Sequence, residues 1–168
     1  MDVDAVVSIV IPAKDEESNV EILVRSIYEQ TYRPLDVIVV DGGSRDKTVD
    51  ILSKLTEELN DGRFKIQVLR GQDFTEDPSP AKLKNIGVKN SSGEYIIFLD
   101  ADMLMEDAMF VSKAQAGLDK NPWVGVKVEP IDSGSLVERA LAAEALAWYS
   151  KSSDAGRRKY CAIRRHLT

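Results

Sequence analysis

Asp100 and Asp102 stand one residue apart at the end of the apolar run YIIFL, within the stretch GEYIIFLDADMLMED. In an extended segment, residues i and i+2 point to the same side, so both carboxylates would face one space. Two ionised acids there repel unless a proton or a cation lies between them. Ligands that are all oxygen favour a hard divalent ion, Mg2+ or Mn2+, and through it a diphosphate. Further acids follow apolar runs in the same way: Asp15 and Glu16 in IPAKDEES, and Asp41 ahead of Gly42 and Gly43 in VIVVDGGSRD. A carboxylate at the end of a second strand is well placed to accept hydrogen bonds from a ribose or a base. Each acid alone serves as well for a helix cap or a solvated loop; recurrence at strand ends makes them a set. The first turn has no Gly-x-Gly-x-x-Gly and the chain has no Gly-x-x-x-x-Gly-Lys-Ser/Thr, so the metal is left to neutralise any nucleotide phosphates.

These acids need a scaffold that brings remote positions to one edge, and the apolar pattern predicts one. Short Val- and Ile-rich runs alternate with segments of helical period, the pattern of strand, crossover helix and parallel strand. Strands are expected over residues 6–11, 37–40, 65–69, 95–99 and 123–128, with Pro12 stopping the first. Ser18 and Glu21 read as a capping box for a helix whose Val20, Leu23, Val24, Ile27 and Tyr28 share a face. Ser44 or Asp46 can cap a second helix carrying Leu52, Leu55 and Leu59. Ser79 and Pro80 open a third, with Leu83, Ile86 and Val88 toward the core. A fourth helix covers residues 108–118, and Ser135 with Glu138 opens an Ala- and Leu-rich fifth ending near Tyr149. Ligands of an open parallel sheet bind beyond the carboxyl ends of its strands, so residues 13–16, 41–43 and 100–102 are expected along one rim.

The 168 residues suit one domain with a sizeable core. A net charge of −6 excludes broad nucleic-acid coating, which needs a basic face. The single cysteine, Cys161, can form neither an internal disulfide nor a thiolate metal site, and the single histidine, His166, leaves no His-based triad. The expected setting is a reducing, cytoplasmic one. The N-terminal segment lacks the basic region of a signal peptide, and no run approaches the ~18 apolar residues of a membrane span.

Three segments in order, VSIVIPAKDEESNVEILVRSI, DVIVVDGGSRDKTVDIL and AKLKNIGVKNSSGEYIIFLDADM, resemble the nucleotide-binding half of family 2 glycosyltransferases. These are the inverting GT-A enzymes that include dolichyl-phosphate sugar synthases. The match covers residues 7–128 and implies an α/β fold: a Rossmann-like three-layer α/β/α sandwich with a mostly parallel central sheet. It makes residues 1–128 the donor-binding core of one domain, with residues 129–168 the start of an acceptor region. It also implies a nucleotide-diphosphate sugar donor, UDP- or GDP-linked, and a divalent metal, Mn2+ or Mg2+. On this resemblance Pro12 and Ala13 line the base and ribose, with Asp15 or Glu16 at the family's acidic position. Asp41 bonds the base, and Lys84 with Asn85 matches a basic-Asn pair of the donor pocket. Asp100 lies nearer the ribose and Asp102 nearer the metal.

The family places a general-base acid well beyond the Asp-x-Asp, after a glycine-rich segment, and neither is reached before Thr168. The chain is therefore expected to be a truncated or short member, with the base unidentified; Glu129, Asp132 and Asp154 are the acids on hand. The acceptor is a hydroxyl or phosphate, on a glycan or a lipid phosphate. Arg157, Arg158, Lys159, Arg164 and Arg165 offer peripheral contact with an anionic membrane face, or form a solvated tail. A non-catalytic nucleotide-sugar-binding module is the alternative. A haloacid-dehalogenase-type phosphatase is disfavoured because Met103 and Leu104 follow the aspartates and the motif falls on the fourth strand.

Overall fold

The structure, a computed structural model, describes residues 5–120, 123–125 and 161–164. Its elements run β1 (Val7–Ala13), α1 (Val20–Tyr28), β2 (Leu35–Asp41), α2 (Thr48–Leu59), β3 (Phe64–Arg70), α3 (Pro80–Asn90), β4 (Tyr95–Phe98), α4 (Phe110–Leu118), β5 (Trp123–Gly125) and β6 (Cys161–Arg164). They build one sheet in the order β3-β2-β1-β4-β6-β5. The first four strands of that order are mutually parallel. β6 runs antiparallel to both β4 and β5.

Two cores explain why the central strands are continuous apolar runs rather than alternating ones. Successive side chains of a strand point to opposite faces. From β1, Val7, Ile9 and Ile11 join Val37 and Val39 of β2 in a core closed by α1, α2 and α4. Val10 joins Ile38, Val40 and Ile96 in a second core closed by Leu83 and Ile86 of α3. The result is the three-layer α/β/α sandwich. Gly87 lets α3 settle directly on β1: a Cβ there would lie 2.3 Å from Val10 Cγ1.

At the amino-terminal edge of the sheet, buried Asp36 accepts hydrogen bonds from Ser8 Oγ (3.2 Å), Ser92 N (3.1 Å) and Ser92 Oγ (2.8 Å). Gly93 N donates to Ser8 Oγ at 2.8 Å. This network ties the turn after α3 to the base of β1 and β2, at the end opposite the acidic rim.

Several boundaries differ from the sequence expectation, each for a physical reason. Pro12 does not stop β1; it pairs in register with Val40. Gly42 N donates to Ala13 O at 2.7 Å and Leu99 N to Val10 O at 3.1 Å, so odd residues of β1 face β2 and even ones face β4. The missing N–H of Pro12 therefore points to the side from which β4, ending at Phe98, has already departed. The Ser18–Glu21 capping box is not formed: α1 has Asn19 at its N-cap with no side-chain cap bond. Asn19 Nδ2 instead donates to Glu16 Oε2 at 2.8 Å. At α2 neither Ser44 nor Asp46 is the N-cap, which is Lys47 with no side-chain cap bond; Asp46 Oδ1 takes Thr48 N, the first residue of the helix, at 3.0 Å. Ser79 is the N-cap of α3 without using its hydroxyl, and Pro80 opens the helix as expected. The fourth helix starts at Phe110 rather than at residue 108. The helix expected after Ser135, and residues 126–128 of the fifth strand, lie outside the described residues.

Candidate functional site

Register places the acidic loops on one rim. Ala13 of β1 pairs with Asp41 of β2, and Val10 pairs with Phe98 of β4. Asp100 follows the last residue of β4, Phe98, by two positions, at the same end of the sheet as Pro12. β2 and β4 flank β1, and strands lie about 4.8 Å apart, so Asp41 and Asp100 begin on the order of 10 Å from each other. A turn of α3 bridges the two ends. Leu83 packs where a Cβ on Gly42 or Gly71 would lie, at 3.1 and 2.4 Å from its methyl carbons. The next residue, Lys84, puts Nζ 3.0 Å from Asp100 Oδ1.

Asp100 and Asp102 do not sit on an extended segment. Met103 N donates to Asp100 O at 3.3 Å, closing a turn over residues 100–103, for which Asp at the first position is a favoured residue. Inside it Ala101 is buried, Asp100 half-buried and Asp102 exposed. The same-side argument drawn from an extended strand therefore fails here; the turn, not the pleat, orients the pair. The loop beyond is anchored to α1: Met105 N donates to Ser26 Oγ (3.1 Å), Gln30 Nε2 to Asp107 O (2.9 Å) and Val111 N to Gln30 Oε1 (3.1 Å).

The loops after β1 and β2 clasp each other. Asp15 N donates to Ser44 Oγ (2.9 Å) and Arg45 N returns a bond to Asp15 Oδ1 (2.7 Å). Glu17 N donates to Asp46 Oδ2 (3.0 Å) and Lys47 N to Glu17 Oε2 (3.0 Å). Between these pairs, Glu16 N donates to Thr48 Oγ1 at 2.8 Å. Asp15 adopts φ 56° to make the reciprocal bond, a left-handed conformation that Asp tolerates better than most residues. Around Asp46, desolvation pushes the carboxyl upward, but bonds from the Thr48 hydroxyl and amide and from Glu17 N outweigh it and hold the acid below its ordinary value.

Asp41 is buried, and its own loop supplies donors: Gly43 N (3.0 Å), Ser44 N (3.1 Å) and Ser44 Oγ (2.6 Å). Pro12 is half-buried, and the Ala13 carbonyl already accepts Gly42 N. Asn85, beside Lys84, is exposed. Ser44, expected from the sequence only as a helix cap, belongs to the rim, as do Thr48 and Gln72, for which the sequence raises no expectation. Gln72 lies over Gly43, where a Cβ would fall 2.1 Å from its Nε2. The spacing of Asp41, Ser44, Asp46 and Thr48, acids and hydroxyls in a glycine turn, is the signal that points to the clasp.

Asp100 and Asp102 supply carboxylate oxygens only, the ligand type that hard divalent ions take. Among the described residues there is no cluster of three or more His, Cys, Asp or Glu, so Asp100 and Asp102 stand without a third such side chain among those residues. Mg2+-type ions are commonly held by one or two carboxylates plus substrate phosphates. Among the described residues no helix is long and apolar enough to cross a membrane.

The fold, an α/β sandwich built on four parallel strands, is shared with solved glycosyltransferases of the GT-A class. The Glycosyl transferase family 2 model matches residues 8–140, and the chain belongs to that family. An uncharacterized glycosyltransferase of Haemophilus influenzae is 32% identical over 97 residues, 57% of this chain and 36% of that protein. The chain thus spans little more than a third of that relative's length. The structure of S. aureus TarS 1-349 in complex with UDP-GlcNAc is similar with a TM-score of 0.60 and 25% identity, covering 77% of this chain and 36% of that one. The mannosyltransferase PcManGT from Pyrobaculum calidifontis, in complex with GDP-Man and Mn2+, shares the fold with a TM-score of 0.69 at 24% identity, covering 95% of this chain and 44% of that one.

Proposed function

We propose that the rim holds the nucleotide of a UDP- or GDP-linked sugar for transfer to an acceptor hydroxyl or phosphate, on a glycan or a lipid phosphate. The observation that carries this reading is the convergence of Ala13, Asp41 and Asp100 at adjacent strand ends, with Lys84 of α3 joined to Asp100 at 3.0 Å. A haloacid-dehalogenase-type phosphatase finds no support in a family 2 chain.

In this reading Pro12 and Ala13 floor the base and ribose pocket, and Asp15 and Glu16 hold that loop in shape through their bonds to residues 44–48. Asp41 accepts from the base on its pocket side while its loop fixes its orientation. Asp100 receives the ribose hydroxyls. Lys84 supplies positive charge to the phosphates, which compensates for the absent glycine-rich phosphate loop. A divalent ion, Mn2+ or Mg2+, at Asp102 and Asp100 supplies charge neutralisation to the leaving diphosphate when bound. The acceptor proton passes to a carboxylate within hydrogen-bond reach; Glu129, Asp132 and Asp154 are outside the described residues, as are Arg157, Arg158, Lys159 and Arg165 of the basic cluster.

Calorimetric titration with UDP, GDP, UDP-GlcNAc and GDP-Man, with and without Mn2+, tests the proposal. Saturable heat with one nucleotide series that depends on Mn2+ is expected. No binding by either series at millimolar ligand would overturn it.

A further inference from the structure

The position of Lys84 bears on how the rim is loaded. Its ammonium lies 3.0 Å from Asp100 Oδ1, with the two side chains 28% and 33% exposed. That oxygen belongs to one of the two carboxylates at the turn, and no third ligating side chain stands with them among the described residues. A protein that offers two carboxylates, one already joined to a cation, is a weak site for a free divalent ion. The geometry points to Lys84 as a placeholder cation: in the donor-free protein it disfavours metal binding at Asp100, and it yields when donor phosphates arrive to accept it. Lys84 then moves from carboxylate to phosphate as the ion takes its place, so metal and donor load together rather than independently. This rests on the proposed metal and donor site, and it adds to that reading a residue that sets the order of loading.

The physical basis is charge. An ammonium a few ångströms from a dication repels it, and a half-buried setting screens this less than open water does. Losing the positive charge while keeping the aliphatic stem should therefore tighten metal binding by the donor-free protein and loosen donor binding.

The test is Mn2+ binding to the 168-residue chain, read from the free-ion electron paramagnetic resonance signal without any turnover. Lys84→Met is expected to tighten Mn2+ about tenfold in the absence of nucleotide, a fold-change in keeping with one removed neighbouring charge. Lys84→Arg, which keeps the cation, is expected to stay within about twofold of the unsubstituted chain. In the presence of saturating UDP or GDP, the Lys84→Met advantage should vanish, and nucleotide affinity should fall. Far-UV circular dichroism checks that both variants fold; surface ion pairs contribute little to stability. Equal Mn2+ affinity of Lys84→Met and the unsubstituted chain, with nucleotide-dependent Mn2+ binding intact in both, overturns the placeholder role and leaves the site assignment standing. Absence of Mn2+ binding in every variant, with and without nucleotide, removes the site itself and the placeholder with it.

Discussion

Replacing Gly87 with alanine tests whether α3, which carries Leu83 and Lys84 to the rim, is seated on β1 as closely as its glycine implies. The new Cβ would lie 2.3 Å from Val10 Cγ1 and 3.3 Å from Val10 Cβ and Cγ2. Carbon atoms pack comfortably at about 3.5–4.0 Å, so the shortfall is over 1 Å. Val10 is fully buried in a central strand, and a β-branched side chain has few rotamers to turn to. Overpacking of this kind costs about 1–3 kcal/mol, while alanine in place of helical glycine contributes about 1 kcal/mol. Because both partners are held by regular structure, the upper part of the range applies, and Gly87→Ala is expected to destabilise by about 2 kcal/mol net. With a urea m-value of about 2 kcal/mol/M, the unfolding midpoint falls by about 1 M. Lifting α3 by about 1 Å also displaces Lys84 from the phosphate position proposed for it, so nucleotide binding weakens in the same variant. In a Val10→Ala background the colliding methyls are gone, and the same substitution becomes neutral or stabilising. A raised midpoint for Gly87→Ala in the otherwise unsubstituted chain would refute the close seating of α3.

Gly43→Ala meets a different obstacle: φ is +93° there, whereas the colliding atom is the movable end of Gln72. The loss is expected to be about 1–2 kcal/mol from backbone conformation, visible in urea unfolding and not recovered by adding Gln72→Ala. The clasp predicts an acid dependence. Asp46 is held below its ordinary 3.8, so the unfolded chain binds more protons in that window and stability rises with pH across it. Its contribution is fully present above about pH 5 and is lost as pH falls through the depressed folded value. The difference in urea midpoint between the unsubstituted chain and Asp46→Asn should therefore shrink from pH 6 toward pH 3; a difference that stays constant would deny Asp46 this role.

The fold was largely legible in the sequence because strands buried on both faces must be continuous Val and Ile runs, as in VVSIVI and DVIVV, and because amphipathic spacing marked α1, α2 and α3. What escaped were features that depend on neighbours. Pro12 stays in β1 only because β4 has ended beside it, a fact about another segment. Ser18 loses its capping role because the Glu16 carbonyl takes Asn19 N and Val20 N, with Glu16 itself fixed by the hydrogen bond from its amide to Thr48 Oγ1 at the start of α2. At the site, the grouping of strand-end acids was readable once a parallel sheet was assumed, but their local tasks were not. Asp15 and Asp46 are spent on the clasp between two loops, and Asp41 is held by its own turn. Asp100 and Asp102 occupy a turn that an alternating pattern cannot distinguish from extended chain.

The central claim, that three strand-end loops receive one metal-linked nucleotide, is tested most directly by amide NMR of the chain titrated with UDP or GDP, first with Mg2+ and then with Mn2+. The account predicts nucleotide-induced shifts at residues 13–16 and 41–44, together with paramagnetic broadening by Mn2+ centred on residues 100–103. Broadening centred elsewhere, for instance on the acidic loop at residues 73–77, or shifts confined to one of the three loops, would contradict it.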